Sequence, residues 1–145
     1  GDSFKIQFYS DEQFQTITNP RTLVVGTRFY FEISWGETFP TAFPVEYYIT
    51  TCTVKSSDDV SNFDIIKNGC VSGLVQAQRH SLTYSDEKVR ASFKSFSFTS
   101  VTGSFDLGMV CEIGFCLVAD RIAGQCGYDS INCPTGYDDA PWLEP

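Results

Sequence analysis

One segment of this chain must carry two thiols that point in opposite directions. The stretch FDLGMVCEIGFC, from Phe105 to Cys116, alternates as a strand does. Phe105, Leu107, Met109, Cys111, Ile113 and Phe115 share one face, and Asp106, Gly108, Val110, Glu112, Gly114 and Cys116 share the other. An odd separation sends Cys111 and Cys116 to opposite faces, so a regular strand cannot bond them to each other. Each must find its partner elsewhere, which constrains the fold more than any other feature of the sequence.

The chain has six cysteines and one histidine. Only Cys111 and Cys116 are close in sequence, and neither a CxxC nor an HxxxH spacing occurs. Metal sites tend to mix histidines in at short spacing, so the expected use of these cysteines is a disulfide framework in an oxidising compartment. A length of 145 residues suits one domain with one core. The net charge of −8 argues against nucleic acid or an anionic membrane as partner, since either needs a basic patch. No run of eighteen apolar residues is present, so no membrane-spanning helix is expected. The opening GDSFKIQFYS lacks the basic, apolar and small-residue regions of a signal peptide. A mature fragment or excised domain of a secreted protein is therefore the expectation.

Strands dominate the pattern. FKIQFYS sets Phe4, Ile6 and Phe8 against Lys5, Gln7 and Tyr9. RFYFEISW sets Phe29, Phe31, Ile33 and Trp35 against Arg28, Tyr30, Glu32 and Ser34. VEYYITTCTV, from Val45 to Val54, is β-branched and aromatic throughout. A short strand around NFDIIKNGC follows, with Asn68-Gly69 offering a turn. SGLVQAQRHSLTYS builds no convincing helical stripe. VRASFKSFSFTS changes phase, with Ala91 and Phe93 on one parity and Phe96 and Phe98 on the other; a β-bulge or a crossing between sheets would account for it. About seven or eight strands separated by polar turns imply an antiparallel sandwich. After Cys116 the character changes, and CGYDSINCPTGYDDAPWLEP is too irregular for a sheet and is expected to be pinned by its cysteines.

Catalytic constellations are absent from the pattern. His80 is the lone imidazole, no GxSxG turn accompanies it, and it reads as a solvated surface residue. Asp58, Asp59 and Asp64 lack the alternating oxygen ligands and terminal Glu of an EF-hand loop, and they and the Asp138-Asp139 pair read as solvated. No carboxylate pair is singled out for glycoside hydrolysis. The expectation is a non-enzyme that needs no cofactor and no metal.

The ordered segments YYITTC, FDIIKNGC, FKSFSF and FDLGMVCEIGFC, with Cys126 and Cys133 after them, resemble the C-terminal half of the zona pellucida module, ZP-C. The likeness covers nearly the whole chain; its one departure is Val110, where the family commonly has His or another polar residue. It implies an all-β, immunoglobulin-like antiparallel β-sandwich with a disulfide-pinned irregular C-terminal tail. On this reading residues 1–145 are one domain, with the sandwich over about 4–118 and a cysteine-containing subdomain over about 119–145. The resemblance also suggests the bridges Cys52–Cys111, Cys70–Cys133 and Cys116–Cys126, among the many connectivities that six cysteines allow. Strand parity agrees, with Cys111 facing the core toward Cys52 and Cys116 facing outward toward the tail. The first bridge would then staple the two sheets together, contributing about 4 kcal/mol by chain entropy, and the third would hold the tail for about 3 kcal/mol.

The resemblance implies a secreted or extracellular protein, with release from a membrane-anchored precursor as one expected route, whose relatives build egg coats and mucosal filaments by polymerisation. Its expected partners are the ZP-N half and linker of the same or a neighbouring subunit, other zona pellucida-type subunits, and a C-terminal propeptide strand that fills the ZP-C sheet until a basic site is cleaved. No Lys or Arg follows Arg121, so that site and propeptide are expected beyond this sequence. The consequence is a sandwich with an open edge or groove, bordered by FKIQFYS. The alternative function is a ligand-binding ectodomain module of a receptor-like zona pellucida protein.

Overall fold

The computed structural model describes residues 4–18, 26–35, 45–56, 61–80, 88–96, 108–117, 119–120, 123 and 132–139. Nine strands are named among them: β1 (Phe4–Tyr9), β2 (Arg28–Trp35), β3 (Val45–Lys55), β4 (Asn62–Lys67), β5 (Cys70–Ser72), β6 (Gln78–His80), β7 (Lys88–Lys94), β8 (Gly108–Leu117) and β9 (Tyr137–Asp139). They form two antiparallel sheets packed as a sandwich, one ordered β1-β2-β7-β6 and the other β8-β3-β4-β5-β9.

The alternating segments deliver the core. Phe29, Phe31 and Ile33 of β2 meet Ala91 and Phe93 of β7 and, from the second sheet, Ile49, Cys52, Val54, Ile65 and Ile66. Phe8 stacks on Phe29 at 5.2 Å between centroids, and Phe29 meets Phe93 edge-on at 5.9 Å. Fully burying side chains of this size is worth roughly 1.5–3 kcal/mol each. The Asn68-Gly69 turn closes the β4–β5 hairpin with φ of 50° and 80°. Two positive φ values in a two-residue loop suit the right-handed strand twist, which is why Asn-Gly is favoured there.

Two irregularities repair phase conflicts in the sequence. Tyr47 and Ile49 are buried at odd positions of β3, whereas Cys52 and Val54 are buried at even ones. A register shift against β8 between Ile49 and Thr51 absorbs the change. A second shift between β3 and β4 allows the consecutive Ile65 and Ile66 both to be wholly buried. At the expected phase break in VRASFKSFSFTS, β7 ends at Lys94, and Phe96 turns inward against Phe63 and Phe93. Phe98 lies outside the described residues.

Two expectations need correction. Cys52 and Cys111 are bridged, but they are register partners on adjacent strands of one sheet, with Cα atoms 4.1 Å apart. The bridge is therefore a cross-strand clamp between β3 and β8 and not a staple between sheets. Parity fixes the face of a side chain but not which strand lies beside it. The tail is also less separate than its composition implies, because β9 adds to the second sheet beside β5. Cys70 is bridged to Cys133 just ahead of it, and the Tyr137 hydroxyl donates to Asp64 O at 2.7 Å.

Among the described residues, Arg79 ties the two sheets together in polar terms. It lies opposite the wholly buried Ala91, on the inward face of β6. Its Nη2 donates across the sandwich to Ile49 O at 3.0 Å and to Gly69 O at 2.9 Å. Ile49 flanks the β3 irregularity and Gly69 lies in the hairpin turn, so one guanidinium serves two carbonyls where the regular ladder is interrupted.

Candidate functional site

Among the described residues β1 ends one sheet and β8 ends the other, and ring contacts bring the two strands to the same side of the sandwich. Phe4 of β1 reaches across to Tyr47 of β3 at 5.1 Å, edge-on, and to Phe115 of β8 at 6.1 Å. Among the described residues, no strand pairs with β8 on the side away from β3. Of the large apolar side chains left exposed, three belong to β8: Val110 and Phe115, each 53% exposed, and Leu117, 47% exposed. Phe115 and Leu117 continue the inward parity of Met109, Cys111 and Ile113, yet they run out past the core. A terminal strand with exposed apolar side chains offers backbone donors and acceptors together with a surface that another strand would cover.

β8 is held firmly on its other side. It pairs with β3 from Val45↔Leu117 to Lys55↔Gly108, and Cys111 is bonded to Cys52 midway. Gly114 is required by its neighbour: a Cβ there would lie 2.6 Å from Tyr48 Cζ and 2.8 Å from Tyr48 Oη. The hydroxyl end of the Tyr48 ring thus lies over Gly114 on the outer face. Cys116 is buried on that same face and is disulfide-bonded. Its expected partner, Cys126, lies outside the described residues, as do Asp58 and Asp59.

His80 is not a solvated residue. It is half-buried on the outer face of the first sheet, with Nε2 2.7 Å from Ser92 Oγ and its ring 5.4 Å from Phe14 and 5.6 Å from Tyr30. Burial, then the charges of Arg28 and Arg90, push its pKa below the ordinary histidine value. Beside it, Arg90 Nε donates to Glu32 Oε2 at 2.8 Å. Burial and then Glu32, which the Tyr9 hydroxyl hydrogen-bonds, push the Tyr9 pKa up. Alternation places Arg28, Glu32, His80 and Arg90 outside, but nothing in the sequence signals that Phe14 covers them. Among the described residues no group of three or more His, Cys, Asp or Glu side chains gathers to hold a metal.

The fold, the bridged strand pair and the order of the cysteines define a disulfide-clamped β-sandwich module. The family model for the ZP-C domain matches residues 2–127, and the chain belongs to the zona pellucida family. Comparison with curated proteins finds no match. Zona pellucida modules are structural, extracellular or secreted parts that interact with other subunits of their kind.

Proposed function

We propose that this domain is the assembly module of a filament- or matrix-forming zona pellucida protein, and that β8 is the strand on which assembly is controlled. The observation that carries the reading is the terminal position of β8 combined with the exposure of Val110, Phe115 and Leu117 along it. A hydrophobic propeptide strand of the parent would pair with β8 before cleavage, and a segment of a neighbouring subunit, ZP-N or its linker, would act in its place afterwards. The clamp to β3 suits an acceptor, because a strand bonded on one side is a rigid template on the other. Residues of about 4–118 supply most of the sandwich of this module and about 119–145 its cysteine-bearing subdomain, which lends β9 to the second sheet and is joined by Cys70–Cys133 and by the proposed Cys116–Cys126 bridge. The parent is secreted, released from a membrane-anchored precursor, and the domain itself carries out no catalysis.

Negative-stain electron microscopy of the parent protein, before and after removal of its propeptide, tests the proposal. Filaments that appear only on cleavage are expected. A stable monomer or dimer that captures a soluble ligand would support the receptor-like alternative instead.

A further inference from the structure

After β1 the chain turns back along it. Ser10 N–H donates to Thr16 O at 2.9 Å, Thr18 N–H donates to Phe8 O at 3.0 Å, and Tyr9 and Ile17 form an antiparallel bridge. The other side of β1 is occupied by β2, so this pairing covers the outer edge of β1 at its Phe8 and Ser10 end. Asp11 builds the reversal: its carbonyl accepts Phe14 N–H at 3.1 Å, and Oδ1 accepts Gln15 N–H at 3.0 Å and Thr16 N–H at 2.7 Å.

Phe14 is the unusual residue in this segment. Its φ of 55° lies in the left-handed region, which a bulky side chain rarely adopts without compensation. The compensation is a socket on the outer face of the first sheet. Phe14 is 7% exposed, and its ring packs edge-on against Tyr9 at 5.6 Å, Tyr30 at 5.5 Å and His80 at 5.4 Å. The Arg90 guanidinium, fixed by Glu32, lies 4.6 Å from the ring centroid.

We infer that residues 10–18 are a latched edge cap: Phe14 in its Tyr9–Tyr30–His80–Arg90 socket holds residues 16–18 against β1 and keeps a second copy of the chain from pairing there. Strand addition on this side of the sandwich is thereby directed to β8, a consequence that rests on the assembly reading above.

The latch is acid-sensitive. His80 is faced by Arg28 and Tyr30 of β2, by Arg90 and Ser92 of β7, and by Glu12 of the segment itself. Ser92 Oγ accepts from Arg28 Nη1 at 2.8 Å, which leaves its own hydrogen for Nε2 of a neutral imidazole. A proton on His80 would turn Nε2 into a donor, take away the acceptor of the Ser92 hydroxyl hydrogen, and meet two cations against one carboxylate. Burial, to which the closed latch contributes through the Phe14 ring, and then the charges of Arg28 and Arg90 hold the His80 pKa below its ordinary value of 6.5. The stability of the closed latch is therefore intact above that pH and is lost as pH falls toward the depressed pKa.

Amide hydrogen exchange on the 145-residue chain tests the cap without requiring assembly. Phe14→Ala is expected to speed exchange at Ser10 and Thr18 roughly 10- to 100-fold, as loss of a buried aromatic side chain implies, with β2 and β7 unchanged. Asp11→Ala removes the carboxylate acceptor of the reversal without touching the socket, and the same local signature is expected should Phe14→Ala disturb the fold. Lowering the pH from about 7.5 to about 5.5 is expected to open the cap in the wild type, after correction for intrinsic rates, but not in His80→Gln. Unchanged exchange in both variants, acceleration spread equally over β2 and β7 in both, or no effect of pH on the wild type would each overturn the latch. A parent that never polymerises would sink the assembly reading and leave these exchange results standing.

Discussion

Replacing Arg79 with methionine removes a side chain that hydrogen-bonds two backbone carbonyls of the opposite sheet at the interrupted part of the ladder. Two bonds from a charged donor are worth roughly 1.5–3 kcal/mol each. Against that stands relief from holding a guanidinium between apolar sheets, together with the apolar contacts that methionine regains, an offset of about 1–2 kcal/mol. The net expectation for Arg79→Met is a loss of about 3 kcal/mol, a large part of the roughly 5–15 kcal/mol that holds a typical domain together. For a chain of this size that corresponds to a fall in Tm of about 6–12 °C. Arg79→Lys keeps the charge but lacks the planar fork, so an intermediate loss is expected. Urea unfolding followed by tryptophan fluorescence, with thermal melts alongside, measures both variants. If Arg79→Met stays within about 1 kcal/mol of the wild type, the guanidinium is not the tie between the sheets.

Four further outcomes are expected. Alkylation of the folded protein without reductant should add no mass, because none of the described cysteines is free. The double change Cys52→Ala with Cys111→Ala should cost about 4 kcal/mol of chain entropy yet keep the strand content by circular dichroism, since β3 and β8 stay paired without the bridge. Cys116→Ser with Cys126→Ser should instead leave the melt of the sandwich nearly unchanged and open the segment from Ile122 to Cys126 to limited proteolysis. Gly114→Val should lower stability by about 1–3 kcal/mol in chemical denaturation, because Tyr48 must leave the face it covers; Tyr48→Ala introduced together with it should restore part of the loss.

Legibility in the sequence followed the physics of each feature. β1 and β2 were readable because one face of each is apolar and the other polar, so period-two alternation is strong in FKIQFYS and RFYFEISW. The Asn68-Gly69 hairpin was readable because its backbone demands those residue types. The irregularity in β3 was hidden, because a segment that is aromatic and β-branched on both faces has no polar phase to break. Parity gave Cys111 and Cys116 their opposite faces, but strand order is a long-range property, so the neighbour of Cys111 could be mistaken for a residue of the facing sheet. Phe14, His80 and Arg79 were missed for a related reason. Each takes its role from residues far away in sequence or from a reversal whose left-handed φ falls on a phenylalanine, where no turn signal is expected.

The central claim is that β8 is an acceptor for a strand from elsewhere in the parent or from its neighbour. Its most direct test is amide exchange across Gly108–Leu117 in the parent protein, measured before propeptide cleavage, after cleavage as monomer, and in the assembled product. The amides of β8 that point away from β3 are expected to be protected before cleavage, to exchange freely in the cleaved monomer, and to regain protection on assembly. Identical exchange of those amides in all three states would contradict it.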